Sequence, residues 1–188
     1  VNLARGRCAG SWLVGYGVAG DMAQPERPNQ DLEVLTWPMF GVAIRELAEE
    51  IVRSGFRPDL VLTIARGGLT VGGAMAYALG TKNCATINVE YYTGVDQRLD
   101  LPVVLPPVPD PVGLDDLNVL IADDVADTGG TLGMVTEFCR QHVREARTCV
   151  LYRKPWSTTD PDFVWRETDR WIAFPWSVEE PVTGIDEG

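Results

Sequence analysis

The chain has 188 residues, 45% of them hydrophobic, and a formal net charge of −11. That length suffices for one domain with a true core, and no apolar run reaches the ~20 residues of a membrane helix. The acidic balance excludes general nucleic-acid and anionic-membrane binding, which need a basic face, so a polyanionic substrate must be held by local positive potential, a task a divalent cation would ease.

The first 30 residues are rich in Gly, Ala and Arg and show no period. The stretch 11–19, behind Arg5 and Arg7, partly matches a signal peptide, but Gly15 and Gly17 interrupt it and no small-x-small cleavage site follows. Residues 1–30 read as a disordered extension, or as an upstream start ahead of Met22, and 31–188 as the folded domain.

Pro38 at a first helical position opens a helix predicted from 38 to about 54. Phe40, Ile44, Leu47 and Ile51 give it one apolar stripe; Glu49 and Arg53 add an i,i+4 pair, and Gly55 ends it. A strand over 59–65 is followed by Arg66-Gly67-Gly68 and a helix from about 69 to 79, then by a strand over 84–92. The span 93–116 carries Pro102, Pro106, Pro107, Pro109 and Pro111. It reads as a long irregular connection whose Pro-rich half is strand-poor, with one short paired segment, of the kind that is usually functional.

The next segment is Val119-Leu120-Ile121-Ala122-Asp123-Asp124-Val125-Ala126-Asp127-Thr128-Gly129-Gly130-Thr131. The apolar run reads as a central parallel strand, and the acids fall at its carboxyl end, where open α/β sheets bind ligands. Gly129 and Gly130 permit a sharp turn and close approach to a ligand. The amides from Ala126 to Thr131, with the Thr128 and Thr131 hydroxyls, can surround a phosphate at the positive end of the following helix. Carboxylates beside a phosphate cradle suit a sugar phosphate. No Gly-x-Gly-x-x-Gly follows any strand and no Gly-Lys-Ser/Thr occurs, which argues against a dinucleotide fold and excludes a Walker A loop.

That helix presents Leu132, Val135 and Cys139 on one face. A strand follows over 147–153, and the tail holds Trp156, Trp165, Trp171 and Trp176. Alternating strands and helices predict an α/β fold with a parallel sheet and helices on both faces. The four cysteines form no C-x-x-C pair; Cys84, Cys139 and Cys149 read as small buried hydrophobes in predicted elements, in keeping with a reducing cytoplasm. His142, the single histidine, falls at the end of a predicted helix and argues against a zinc site or a His-based triad.

The 119–131 segment resembles the 5-phosphoribosyl-1-pyrophosphate (PRPP) signature of type I phosphoribosyltransferases: four hydrophobics, Asp-Asp, two spacers, Asp-Thr-Gly-Gly-Thr. The resemblance implies that family's fold, a mostly parallel central sheet flanked by helices with a small C-terminal hood. It implies that Arg66, Gly67 and Gly68 hold pyrophosphate, with a cis peptide at Ala65–Arg66, and that Arg98 assists from a mobile loop. Asp123 and Asp124 would orient the ribose, with Asp124 the candidate ligand for Mg²⁺, and Ala126, Asp127, Thr128, Gly129, Gly130 and Thr131 would bind the 5-phosphate. Asp127 would serve as general acid/base. Closure of the 93–116 loop would exclude water.

Tyr152-Arg153-Lys154-Pro155, Asp169-Arg170-Trp171-Ile172-Ala173-Phe174-Pro175-Trp176, Leu35-Thr36-Trp37 and Asp96-Gln97-Arg98 resemble bacterial xanthine-guanine phosphoribosyltransferases. On that likeness Lys154 would donate to a purine 6-oxo group, Trp171 would stack on the base and the Ile172 backbone would read the 2-position; singly, Lys154 reads equally well as a solvated strand end and Trp171 as core. The partners implied are PRPP and a purine base, in a cytoplasmic homo-oligomer, dimer or tetramer, serving purine salvage. A pyrimidine or orotate transferase and a non-catalytic PRPP-sensing module remain alternatives. Ala173 and Phe174 depart from the more polar family residues and leave the choice among xanthine, guanine and hypoxanthine open.

Overall fold

The computed structural model describes residues 32–94, 97–105 and 114–182. The proposed 1–30 extension and the prolines at 106, 107, 109 and 111 lie outside the described residues.

The elements follow as β1 (Leu32–Val34), α1 (Trp37–Arg53), β2 (Leu60–Ala65), α2 (Gly67–Leu79), β3 (Cys84–Gly94), β4 (Gln97–Leu105), β5 (Asn118–Ala126), α3 (Gly130–Arg140), β6 (Glu145–Arg153), β7 (Phe163–Glu167) and β8 (Trp171–Ala173). Six strands form one sheet in the order β4-β3-β2-β5-β6-β7. Only the β3–β4 pair is antiparallel. β5 lies between β2 and β6, the central parallel position expected of its unbroken apolar run.

Both faces of that sheet are covered. Leu120 and Ala122 of β5 join a core under α1 and α2, while Val119 and Ile121 join a second core under α3. Alternation along one buried strand thus feeds two layers of helix. Phe40, Ile44, Leu47 and Ile51 of α1 are all buried as the stripe requires. Thr36 caps this helix, its hydroxyl accepting from the Met39 amide at 3.4 Å, and Glu49 and Arg53 form the wet-side pair at 3.8 Å. Gly72 allows α2 to lie close on β2, since a Cβ there would meet the Thr63 side chain.

Three features depart from the sequence reading. The 93–116 connection is not irregular throughout: residues 97–105 form an antiparallel strand against β3, with Pro102 opposite Tyr91. Leu101, Val103, Val104 and Leu105 favour a strand, and at the edge of the sheet Pro102 has an outer side on which no partner is required. Cys84 is exposed, whereas Cys139 and Cys149 are buried; it is the first residue of its strand. The small hood draws on both ends of the domain, because β8 pairs in parallel with β1 (Leu32↔Trp171, Val34↔Ala173) rather than with another C-terminal segment.

Candidate active site

The carboxyl ends of β2 and β5 and the amino ends of α2 and α3 meet at one place. α3 begins after Gly129, whose φ of +83° a side chain would resist; no side chain caps Gly129 or Arg66, the residues that precede α3 and α2. Both helix starts present the positive end of the dipole, although one amide of each is taken by a side chain, Gly68 by Asp123 and Gly130 by the Thr128 hydroxyl. Between them lies a cleft of 650 Å³ lined by Gly67, Asp123, Asp124 and every residue from Ala126 to Thr131. The expected cradle residues are together.

The two β5 acids differ. Asp123 accepts from the Asp124 amide at 2.9 Å and from the Gly68 amide, so it fastens the start of α2 to the end of β5. Loss of hydration holds its carboxyl well above the usual range, reinforced by the neighbouring Asp124 charge and opposed by those two amides. Asp124 is also raised by burial, against hydrogen bonds led by the Val125 amide and including the Trp176 indole. A Cβ on Gly67 would occupy the Asp124 carboxylate, and one on Gly68 would meet the Ala122 carbonyl oxygen. Glycine is required at 68 because α2 starts directly on the β5 backbone, whereas at 67 the obstacle is a side-chain carboxylate. The Ala65–Arg66 peptide is cis.

Thr128 and Gly130 bond to one another, the amide donating to the hydroxyl at 3.3 Å. Arg66 is exposed and lines a second cleft rather than the first. That cleft, 990 Å³, is bounded by Lys154, Trp171, Ile172 and Phe174 under the hood. Lys154 is 5% exposed and Trp171 52% exposed, so the cation is sunk in the wall while the indole borders solvent. The Lys154 ammonium donates to the Arg170 carbonyl and lies 5.5 Å from the Trp156 ring centre. Burial pushes it below the ordinary lysine value, with Asp127, Asp169 and Glu33 pulling the other way. Asp127 and Val125 line both clefts. Arg98 belongs to β4, opposite Thr93, and the expected pyrophosphate contact of its side chain lies outside the described residues.

The phosphoribosyl transferase domain model matches residues 31–182. The chain belongs to the phosphoribosyltransferase family. Among relatives of this phosphoribosyltransferase, the xanthine-guanine phosphoribosyltransferase of Roseobacter denitrificans (strain ATCC 33942 / OCh 114) is 33% identical over 178 residues, covering 87% of this chain and 97% of its own. The protein of the same name from Ruegeria sp. (strain TM1040) is 31% identical over 167 residues, covering 81% and 91%. A crystal structure of purine phosphoribosyltransferase from Pyrococcus horikoshii OT3 superposes with a TM-score of 0.70 at 35% identity, covering 83% of this chain and 99% of that one. The fold is thus the type I phosphoribosyltransferase fold.

Two features of this phosphoribosyltransferase site were not anticipated from sequence. Trp176 reaches Asp124 and stacks on Phe174 at 4.9 Å between ring centres, which ties the hood to the end of β5. Residues 156–159 bond to the 127–129 turn. The cluster Ser157-Thr158-Thr159 after Lys154-Pro155 was the available signal, since hydroxyls in such a run bond readily to backbone.

A divalent cation fits the donor set in a limited way. Among the described residues no group of three or more His, Cys, Asp or Glu side chains could enclose a metal ion. Two adjacent, partly dehydrated carboxylates remain, with no ion pair to a cationic side chain among the described residues. Such a pair suits a hard ion that takes one or two protein oxygens and completes its shell from substrate and water.

Proposed function

We propose that this phosphoribosyltransferase transfers the 5-phosphoribosyl group of PRPP to N9 of a 6-oxopurine, with release of pyrophosphate, a purine-salvage reaction. The observation that carries this reading is the position of Asp127, which lines both the phosphate-type cleft and the Lys154/Trp171 cleft. A carboxylate shared by the two is where an activated sugar in one would meet a base in the other.

Each wall suits its half of the reaction. The amides of 126–131 and the start of α3 favour a phosphate dianion. Asp123 and Asp124 suit the ribose hydroxyls, and their negative charge favours the oxocarbenium character that C1 gains as its bond to pyrophosphate lengthens. Arg66 and the start of α2 offer positive potential to the leaving group. Asp124 with PRPP oxygens would hold Mg²⁺, which when bound offsets the charge of the departing pyrophosphate.

On the base side, Lys154 donates to the 6-oxo group and favours the oxo tautomer, Trp171 offers a flat face worth ~1–3 kcal/mol in stacking, and the Ile172 backbone borders the 2-position. Asp127 takes the proton released from the purine ring as the N9–C1 bond forms. Holding base and C1 in line contributes through positioning as well as through charge.

Pyrophosphate release measured with xanthine, guanine, hypoxanthine and orotate, with and without Mg²⁺, tests the proposal. Turnover with one or more 6-oxopurines, dependent on Mg²⁺, is expected. Turnover with orotate alone would transfer the assignment to a pyrimidine enzyme; binding of PRPP without turnover on any base would leave a sensor.

A further inference from the structure

β6 and β7 are parallel neighbours, yet the chain between them, residues 154–162, contains no helix. Its first half runs along the back of the 127–129 turn. The indole N–H of Trp156 donates to Asp127 Oδ1 at 3.0 Å. The Thr158 amide and hydroxyl both donate to the Thr128 carbonyl, at 2.9 and 2.8 Å. The Thr159 hydroxyl donates to the Gly129 carbonyl at 2.7 Å. Three consecutive residues of the turn are therefore held by three residues of this segment. Ser157 braces the segment itself, its hydroxyl donating to the Thr159 carbonyl at 2.9 Å. The fit leaves no space for a side chain at Gly129, where a Cβ would lie 2.6 Å from the Thr159 nitrogen.

The peptide plane turns these contacts into orientation. In a trans peptide the carbonyl and the following N–H point in opposite directions. Fixing the Thr128 carbonyl on the strap turns the Gly129 amide away from it, and Gly129 and Gly130 both line the cleft. The Gly129 carbonyl is shared between Thr159 and the Gly133 amide of α3 at 2.9 Å, so the strap and the helix together set the Gly130 amide, which donates to the Thr128 hydroxyl. Trp156 acts on the neighbouring side chain: its N–H fixes one carboxylate oxygen of Asp127, and its ring face lies over the Lys154 ammonium, an attraction expected between a cation and an indole.

We propose that residues 156–159 are a positioning strap with two separable tasks. Trp156 orients the Asp127 carboxylate for proton transfer, and Thr158 and Thr159 aim the amides of the phosphate cradle. The inference rests on the transferase reading above and adds to it residues that act through Asp127 and the cradle rather than on substrate.

The split between kcat and KM separates this from a merely structural role. Trp156→Phe keeps the ring over Lys154 and removes the N–H. It should lower kcat about tenfold, the worth of one hydrogen bond to a charged group, while leaving both KM values within about twofold. The double variant Thr158→Val/Thr159→Val should instead raise the KM for PRPP about tenfold and leave kcat within about threefold. Thermal melting of each variant is recorded alongside.

A Trp156→Phe enzyme with unchanged kcat overturns the proposal, as do variants in which kcat and KM move together in proportion to lost melting temperature. Should the unmodified chain turn over no base at all, the transferase reading fails instead. The strap is then read by calorimetry with Mg²⁺ and PRPP on the threonine double variant, where a weakened dissociation constant supports it and an unchanged one refutes it. If Trp156→Phe does not fold, Trp156→Leu takes its place in the kcat measurement, with the same outcomes.

Discussion

Asp127, Gly67, Gly68 and Lys154 each make a claim that one substitution tests. Asp127→Asn keeps the hydrogen bond from Trp156 and removes the base, so turnover should fall by ~10²–10⁴ with PRPP affinity nearly intact, as single-turnover and equilibrium binding measurements would show. The two glycines should behave differently although they are adjacent. A Cβ on Gly68 meets backbone, the Ala122 carbonyl oxygen and, at 3.1 Å, Asp123 Cα. Gly68→Ala should therefore cost ~1–3 kcal/mol of stability in denaturant unfolding. A Cβ on Gly67 meets only a carboxylate, which can rotate away; Gly67→Ala should melt almost normally and lose affinity for PRPP with Mg²⁺. For Lys154, burial lowers the ammonium's value below 10.5, so the proton is lost at lower pH than from a free lysine. The advantage of the unmodified chain over Lys154→Gln in kcat/KM for the purine should shrink as pH rises, with its midpoint below 10.5. A ratio that is flat with pH would remove Lys154 from the contact with the 6-oxo group.

At the scale of elements, α1, β2, α2, β3, β5, α3 and β6 were legible in the sequence because each buries enough surface to impose a period or an apolar run. β1 and β8 were not, since three residues each are too few for any period to show, and their pairing joins opposite ends of the domain. β4 was hidden by Pro102, a residue that argues against a central strand and is tolerated at an edge. The candidate site was legible for a related reason. The 119–131 segment carries its chemistry in consecutive residues, whereas the Trp176–Asp124 and 156–159 contacts connect segments that only the fold brings together. β1 also yields a prediction. A chain beginning at residue 31 keeps β1 and serves as the reference. One beginning at residue 36 loses β1 and Leu35, which is 1% exposed and donates its amide to the Ala173 carbonyl at 3.1 Å. That chain should lose ~2–5 kcal/mol and bind purine less well than PRPP, because β8 carries Trp171 and Ile172. Equal melting of the two truncated chains would contradict this role for the hood strand.

For the whole molecule, the net charge of −11 sets the problem the site must solve. A donor bearing several phosphates is repelled by the global field, and on the proposed reading it is captured by local features: two helix starts, the amides of one turn, and a cation brought to paired carboxylates. No described helix is long and apolar enough to cross a membrane. Capture of the donor is the step on which all later ones depend. Isothermal calorimetry of PRPP with Mg²⁺ tests it most directly, on the unmodified chain and on Gly129→Ala, whose φ of +83° and contact with Thr159 leave no place for a methyl group. Saturable heat at one site per chain, strongly reduced in Gly129→Ala and without Mg²⁺, is the predicted result. Absence of heat from the unmodified chain, or equal binding by the variant, would contradict the assignment of the 126–131 turn as the phosphate cradle.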